Sequence, residues 1–377
     1  MTSRRDRRRR VRVVVIGAGQ SGLAAAYHLH RAGLRPGEEF VVLDGGVGPG
    51  GAWRNRPDHL TLAAAHGIHA LPALPLPDAP PDTPTAQAVP AYFAAFEEEY
   101  DLPVHRPVHV RAVRDARPGV DPGVAEAGPD DGRPGPLAVV TDRGTWTTDA
   151  VISATGTWSK AFWPSYPGRG DFRGRQLHAR EFRSAVAFAG QHVIVVGGGT
   201  TAVQTLLELA GTATTTWVTR RPPVFEPGEF SEEERRAAVG RVAEAVAAGR
   251  PVPSVVSVTG LRLTDEVRAG IASGVLTRTP MFARLVPDGV AWDPADVPPA
   301  PPTLRADAII WATGYRAALD HLAPLRLRAP GGGIVLAGTE VVADPRVHLV
   351  GYGPSASSVG ATRAARDAVR RVVDRLA

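Results

Sequence analysis

Cysteine is absent from this 377-residue sequence. Its absence excludes disulfides, zinc–thiolate sites, iron–sulfur clusters, thiol nucleophiles and CxxC redox pairs. Lysine is nearly absent as well: Lys160 stands alone, so 42 of the 43 basic side chains are arginine. No apolar run approaches the ~18 residues of a membrane span. Excess charge is missing from the body of the chain. The formal net charge of +5 sits entirely in residues 1–10, MTSRRDRRRR, beyond which 37 basic side chains face 37 acidic ones. Nucleic-acid binding calls for a basic patch on the folded domain, and a neutral body supplies none. Residues 1–10 read as a solvated, disordered basic tail. Arg4 and Arg5 do not open a twin-arginine signal, because VRVVVIGAG follows at once and is too short for an apolar signal core. With 44% apolar and 21% charged residues, the composition is that of a cytoplasmic globular protein with room for two domains. Neither a nucleic acid nor a membrane is expected as a partner.

What is present begins with VRVVVIGAGQSGLAAAYHLHRAG at 11–33. A β-branched strand ends at Gly17, and an alanine-rich helix starts near Leu23. Between them Gly17, Gly19 and Gly22 form G-x-G-x-x-G, with Gln20 and Ser21 at the helix start. The first glycine permits a tight turn, the second lets the backbone approach a pyrophosphate, and the third allows close helix–strand packing. Free helix-terminal N–H groups then face the phosphates. The next strand, Glu39–Leu43, ends at Asp44, an acid placed to accept the hydroxyls of an adenosine ribose.

A second unit, QHVIVVGGGTTAVQTLLELAG, occupies 191–211. Gly197 and Gly199 repeat the first two glycines, Thr200 and Thr201 open the helix, and Ala202 takes the packing position. The following strand ends in Arg220 and Arg221 where the first unit has its acid. Arginine pairs bidentately with a 2′-phosphate that an acid would repel, so this unit is expected to prefer NADPH. A further echo joins DAVISATGTW (149–158) to DAIIWATGYR (307–316). Both read as buried strands that end in a small-residue turn, where backbone passes close to something. Elsewhere, residues 71–90 read as an irregular surface loop, Ser231 and Glu234 as a capping box opening a helix over 231–249, and Ala361–Leu376 as an amphipathic helix.

Taken together, these motifs resemble the class B flavin-dependent monooxygenases over nearly the whole chain. The resemblance rests on their order: glycine loop, GG-x-W (Gly50, Gly51, Trp53), ATG strand, second glycine loop, second ATG strand, terminal helix. It is sharpest in FRGRQLHAREF, where Phe172, Gly174, His178 and Phe182 satisfy F-x-G-x-x-x-H-x-x-x-[FYW]. The resemblance implies an α/β fold of two Rossmann-like dinucleotide-binding domains, for FAD and NADPH, with the NADPH domain inserted into the FAD domain. The expected division is 11–158 and 305–377 for FAD, and 159–304 for NADPH. Gly17–Gly22 and Asp44 would hold the FAD adenosine diphosphate, Gly50, Gly51 and Trp53 would pass the flavin ring, and the helix start near Ser357–Ala361, with Ser358, would face its pyrimidine edge. His178, in the fingerprint, is the catalytic candidate or else a structural residue.

Further implications concern the reaction. NADPH would reduce FAD, and reduced flavin with molecular oxygen would form a C4a-hydroperoxyflavin that oxygenates a small molecule. Phe182 stands where Baeyer–Villiger enzymes carry tryptophan, which turns the expectation toward a nucleophilic nitrogen or sulfur. The asparagine common downstream of GG-x-W in heteroatom oxidisers is missing from TLAAAHGIHALPALPLP. An NADPH-dependent flavoprotein reductase of a small-molecule or protein acceptor therefore stays open, as does a nucleotide-binding protein without turnover. His59, His66 and His69 lack the ligand company of a metal site, and no metal is expected. A homodimer is compatible with the sequence.

Overall fold

The computed structural model describes residues 9–57, 59–63, 65, 68–124, 134–228, 231–253, 260–293, 302–356 and 358–377. Two parallel-stranded sheets organise the chain. The first is built on β1 (Arg10–Ile16), which pairs in parallel with β2 (Phe40–Leu43) on one side and β6 (Gly144–Ser153) on the other. Val13 and Val15 of β1 point into one core, Val14 and Ile16 into another. That alternation marks a central strand covered on both faces. Helix α1 (Gln20–Arg31) lays Leu23, Ala25 and Leu29 on the first face, together with α2 (Thr85–Glu99) and the C-terminal helix. β3 (Val104–His105) extends the sheet beyond β2, and β4 (Val110–Asp115) with β5 (Leu137–Thr141) forms an antiparallel flap on β6.

The second sheet repeats this plan. β7 (Arg175–His178), β8 (His192–Val196) and β9 (Thr214–Thr219) lie in it, with helix α3 (Thr200–Leu209) packed on one face. The capping box at Ser231 is present, Ser231 Oγ accepting from Glu234 N at 3.1 Å and Glu234 Oε2 from Ser231 N at 2.8 Å, and it opens α4 (Glu232–Ala247). β10 (Phe225–Glu226) pairs with β11 (Leu261–Arg262), before α5 (Asp265–Ala272) and the sheet-edge strand β12 (Arg278–Pro280). β13 (Arg284–Val286), β14 (Gly289–Ala291) and β15 (Thr303–Arg305) make a small antiparallel sheet. β16 (Ala308–Trp311) then inserts between β7 and β8. The chain returns to the first sheet with β17 (Leu336–Ala337), β18 (Glu340–Val341) and β19 (Asp344–Leu349), and ends in α6 (Ser358–Leu376).

Two expectations change. A boundary at 305 would put the second ATG strand in the first sheet, whereas its parallel register with β8, Ala308 opposite Val193 through Trp311 opposite Val196, places it in the second. And the surface loop expected over 71–90 gives way to α2 from Thr85, which carries Pro90 within it and buries Val89, Tyr92, Phe93 and Phe96. The preceding prolines hid this helix; its apolar spacing decides the structure. The N-terminal tail through residue 8, His66 and Ser357 lie outside the described residues.

Candidate functional site

The two glycine turns are built alike. Gly17 has φ +97° and its N–H donates to Leu43 O at 2.7 Å; Gly197 has φ +147° and its N–H donates to Val218 O at 2.9 Å. A Cβ on Gly17 would sit 2.7 Å from Ala154 O, and one on Gly197 would overlap Ala312 O. Ala154 and Ala312 are the alanines of the two ATG turns. Their own N–H groups donate to Ile16 O and Val196 O, each at 2.8 Å. Each ATG strand thus runs beside its own glycine turn and presses a carbonyl against the first glycine, which leaves no room for a side chain on either. The repeated strand–turn signal in the sequence has this physical source.

Beyond the turns the helices open without a side-chain cap, at Gly19 for α1 and Gly199 for α3. A Cβ on Gly19 would meet nothing within 4 Å, whereas one on Gly22 would overlap the Gly17 carbonyl. The second glycine therefore borders open space and the third serves packing; Ala202, in the third position of the second turn, is wholly buried. Asp44 is buried at the end of β2, its Oδ2 accepting from Ala18 N at 2.7 Å and its Oδ1 from Gly46 N at 2.5 Å. A carboxylate held this way keeps lone pairs to spare for a further donor. Gln20 ties the helix start to His69 O at 2.9 Å. Ser21 is nearly buried, and a Cβ on Gly351 would lie 2.8 Å from its hydroxyl. Gly50 (φ +111°) backs onto the Pro90 ring, and Gly51 approaches Gly19, where a Cβ would lie 3.0 Å from its Cα. The GG-x-W turn thus comes to the mouth of the first glycine loop, with Trp53 half-buried after it. Ser358 opens α6.

Arg220 and Arg221 follow β9 and are exposed, as are Thr200 and Thr201 at the start of α3. Thr219 arranges this end of the strand: its hydroxyl donates to Arg221 O at 2.6 Å and accepts from Arg278 Nε at 3.0 Å. His178 is buried, and burial holds its pKa below the ordinary value. Its Nδ1 accepts from Arg180 N at 3.1 Å, which leaves Nε2–H to donate to Gly314 O, also at 3.1 Å. With both ring nitrogens committed to backbone, His178 pins the fingerprint to the second ATG turn and has no lone pair for proton transfer.

The exits from the two ATG turns run side by side. Ala161 and Tyr315 form an antiparallel bridge, Phe162 N donates to Gly314 O at 2.9 Å, Arg316 N to Lys160 O at 2.9 Å, and Ala318 N to Gly156 O at 2.9 Å. Lys160 also pairs with Asp320. These two segments connect the sheets, and around them gather residues that motif reading passed over: Arg56, Trp158, Arg180, Arg183 and Tyr315. They come from four stretches of chain, Arg180 and Arg183 sharing one, with no spacing to announce them. Among the described residues no group of three His, Cys, Asp or Glu could hold a metal ion, and no helix is long and apolar enough to cross a membrane.

Comparison with known proteins agrees with this geometry. Residues 15–79 match the NAD(P)-binding Rossmann-like domain, and 133–247 match the pyridine nucleotide-disulphide oxidoreductase domain. The structure of a flavin-containing monooxygenase from Stenotrophomonas maltophilia is 36% identical, with a TM-score of 0.75 over 98% of this chain and 99% of that one. The chain belongs to the flavin monooxygenase family. Among curated proteins, an uncharacterized oxidoreductase from Bacillus velezensis is 25% identical over 57% of this chain and 56% of its own length. A Baeyer–Villiger monooxygenase from Streptomyces coelicolor is 31% identical over 52% of this chain and 34% of its own length. The chain thus spans about half the length, or less, of these curated relatives.

Proposed function

We propose that the protein is an NADPH- and FAD-dependent monooxygenase, working in the cytoplasm, that transfers one atom of molecular oxygen to a nucleophilic nitrogen or sulfur of a small molecule. The observation that carries the reading is the duplicated turn. Two uncapped helix starts, each behind a glycine turn braced by an ATG carbonyl, are joined by one hydrogen-bonded crossing. The first turn fits FAD: open space above Gly19, helix N–H groups aimed into it, and Asp44 for the ribose. The second fits NADPH, with Thr200 and Thr201 at the helix start and Arg220 and Arg221 for the 2′-phosphate. We place the domain crossings in the paired segments near 156–162 and 313–318.

When bound, the flavin supplies the redox chemistry with oxygen. This chain binds, orients and excludes water. Gly50–Trp53 would border the ring, and His178, fixed by its two backbone contacts, holds the fingerprint against the crossing rather than moving a proton. Phe182, buried against Phe188 with ring centroids 5.8 Å apart, stands where Baeyer–Villiger enzymes have tryptophan, which favours heteroatom oxidation.

The test is rapid mixing of anaerobically reduced holoenzyme with oxygen, with and without NADP⁺. A long-lived oxygenated flavin spectrum that decays faster with an amine or sulfide supports the reading. Immediate return of oxidised flavin with stoichiometric hydrogen peroxide under every condition overturns it in favour of a reductase.

A further inference from the structure

Arg56 follows the GG-x-W turn and lies at the sheet crossing. Its guanidinium carbon is over the Trp158 ring, 4.5 Å from the centroid, and over the Trp53 ring at 5.5 Å. Trp158 stacks on Tyr315 at 5.3 Å and 23°, and Tyr315 meets His178 edge-on at 5.1 Å. The GG-x-W turn, both ATG exits and the fingerprint thus converge on one cation.

Among the described residues that cation has no acidic partner. Among the described residues, Tyr315 alone acts on it electrostatically, and its buried Nε has no hydrogen-bond partner. Burial lowers its pKa from the ordinary arginine value, the mark of a charge removed from water. The surrounding charges do not compensate. Arg180 and Arg183 face the same Tyr315 phenol. Both are tied to backbone, Arg180 to Trp158 O at 3.3 Å and Arg183 to Asn55 O at 2.7 Å. Two described acids of this region are committed elsewhere: Glu181 accepts from His178 N at 2.8 Å, and Glu208 lies 3.7 Å from His59. Contact with two indole faces offsets part of the desolvation of a guanidinium. It does nothing for the donors in the guanidinium plane, which suit the two oxygens of a carboxylate.

We propose that Arg56 determines substrate specificity by binding the carboxylate of an anionic substrate at the sheet crossing, beside the flavin-facing turn. The inference rests on the monooxygenase reading and sharpens it: the amine or thioether to be oxygenated carries a carboxylate group. A phosphate of NADPH is the other anion that could reach Arg56, so the experiment separates the two.

FAD-loaded protein is titrated calorimetrically with benzoate, with its neutral isostere benzamide, and with NADP⁺. Wild type binds benzoate at least tenfold more tightly than benzamide. Arg56→Gln reduces that preference below twofold and leaves NADP⁺ affinity within twofold. Arg56→Lys, which keeps the charge and loses the planar fork, retains part of the preference. Should Arg56→Gln fail to hold FAD, Arg56→Lys decides, and its preference must fall at least threefold. Absence of a preference in wild type overturns the proposal, as does its persistence in the deciding variant. A tenfold loss of NADP⁺ affinity in that variant overturns it too, by assigning Arg56 to the dinucleotide. In a parallel assay, 4-(methylthio)benzoate is compared with its methyl ester for sulfoxide formation. An Arg56-dependent benzoate preference without any sulfoxide, and with stoichiometric hydrogen peroxide on flavin reoxidation under every condition, supports the anion site and overturns the oxygenation reading instead.

Discussion

The second and third glycines of the first turn do different work, and replacing each by alanine separates binding from folding. In Gly22→Ala the new methyl overlaps the Gly17 carbonyl oxygen, lies 2.9 Å from its carbon and touches Ala154 Cβ at 3.4 Å. Neither neighbour can step aside, because Gly17 N is held by Leu43 O and Ala154 N by Ile16 O. The helix must lift off the sheet. Overpacking of this kind costs about 1–3 kcal/mol, and the better helix propensity of alanine returns up to ~1 kcal/mol. Because the clash is with backbone, the net loss should be about 1–2 kcal/mol, or a melting point lowered by about 2–8 °C. Gly19 is the opposite case. It lies at φ −81° and ψ −172°, extended backbone that any residue adopts, and a Cβ there meets nothing within 4 Å. Gly19→Ala should change the stability of the flavin-free protein by no more than about 1 kcal/mol, the effect of the residue type at an N-cap. Its methyl projects into the open space assigned to the FAD diphosphate, so FAD affinity should fall at least about tenfold, or 1.4 kcal/mol. Thermal unfolding of the flavin-free proteins and FAD titration measure the two effects independently. Wild-type FAD affinity in Gly19→Ala would refute the assignment of the first turn, whatever Gly22→Ala does.

Replacing Arg220 and Arg221 together by serine should cost about 2–4 kcal/mol of discrimination if each makes one charge-assisted contact to the 2′-phosphate. The readout is the ratio of kcat/KM for NADPH to that for NADH, and an unchanged ratio would return both arginines to the ordinary surface. Acid stability should report two buried histidines. Burial pushes His321 and His348 down to about 4 each; His321 Nε2 lies 3.1 Å from Ser153 Oγ, and His348 sits near Arg371 and Arg375. Their folded pKa values lie below the unfolded value of about 6.5, so the unfolded chain binds more protons between pH 6.5 and 4. The stability they contribute is therefore complete above pH 6.5 and is lost as pH falls toward 4, by up to about 3 kcal/mol per site. Urea unfolding across that range should show the slope, and His321→Gln should flatten it by about half; an identical slope in the variant excludes His321 as its source.

Glycine loops are legible because their demands fall on the backbone. Positive φ at Gly17 and Gly197, and a carbonyl pressed where a Cβ would stand, leave one residue type that fits. The ATG echo was legible for the same reason, but only as a strand and turn. Which sheet the second copy joins depends on the register of Ala308–Trp311 against β8, and neither strand encodes its partner in its own spacing. Helix α2 was masked locally, since the prolines before it read as loop while its aromatic face answers to α1 across the core. The Arg56 cluster had no local signal at all. Single residues from the GG-x-W segment, both ATG exits and the fingerprint meet only once the two crossings pair.

The fingerprint itself shows how a motif and its meaning come apart. FRGRQLHAREF points to catalysis when read as a family mark, yet all four of its fixed positions have packing reasons, Phe182 against Phe188 and the other three at the strand edge. A Cβ on Gly174 would crowd the Phe172 ring and lie 2.5 Å from Asp307 O, so glycine lets β7 begin flush against β16. Phe172 is itself buried in the core beneath that strand, among Ile309 and Trp311. His178 closes the same edge from the other end, bonding to Gly314 O just past β16. All three hold one short edge strand to the second ATG strand, and so set the height at which the crossing leaves the second sheet. Phe182 lies one turn further on, 6.2 Å from His59, which connects the fingerprint to the loop after GG-x-W. A pattern that fixes the crossing in this way bears on how the two glycine turns face each other, and that positioning task alone is enough to account for its residue types.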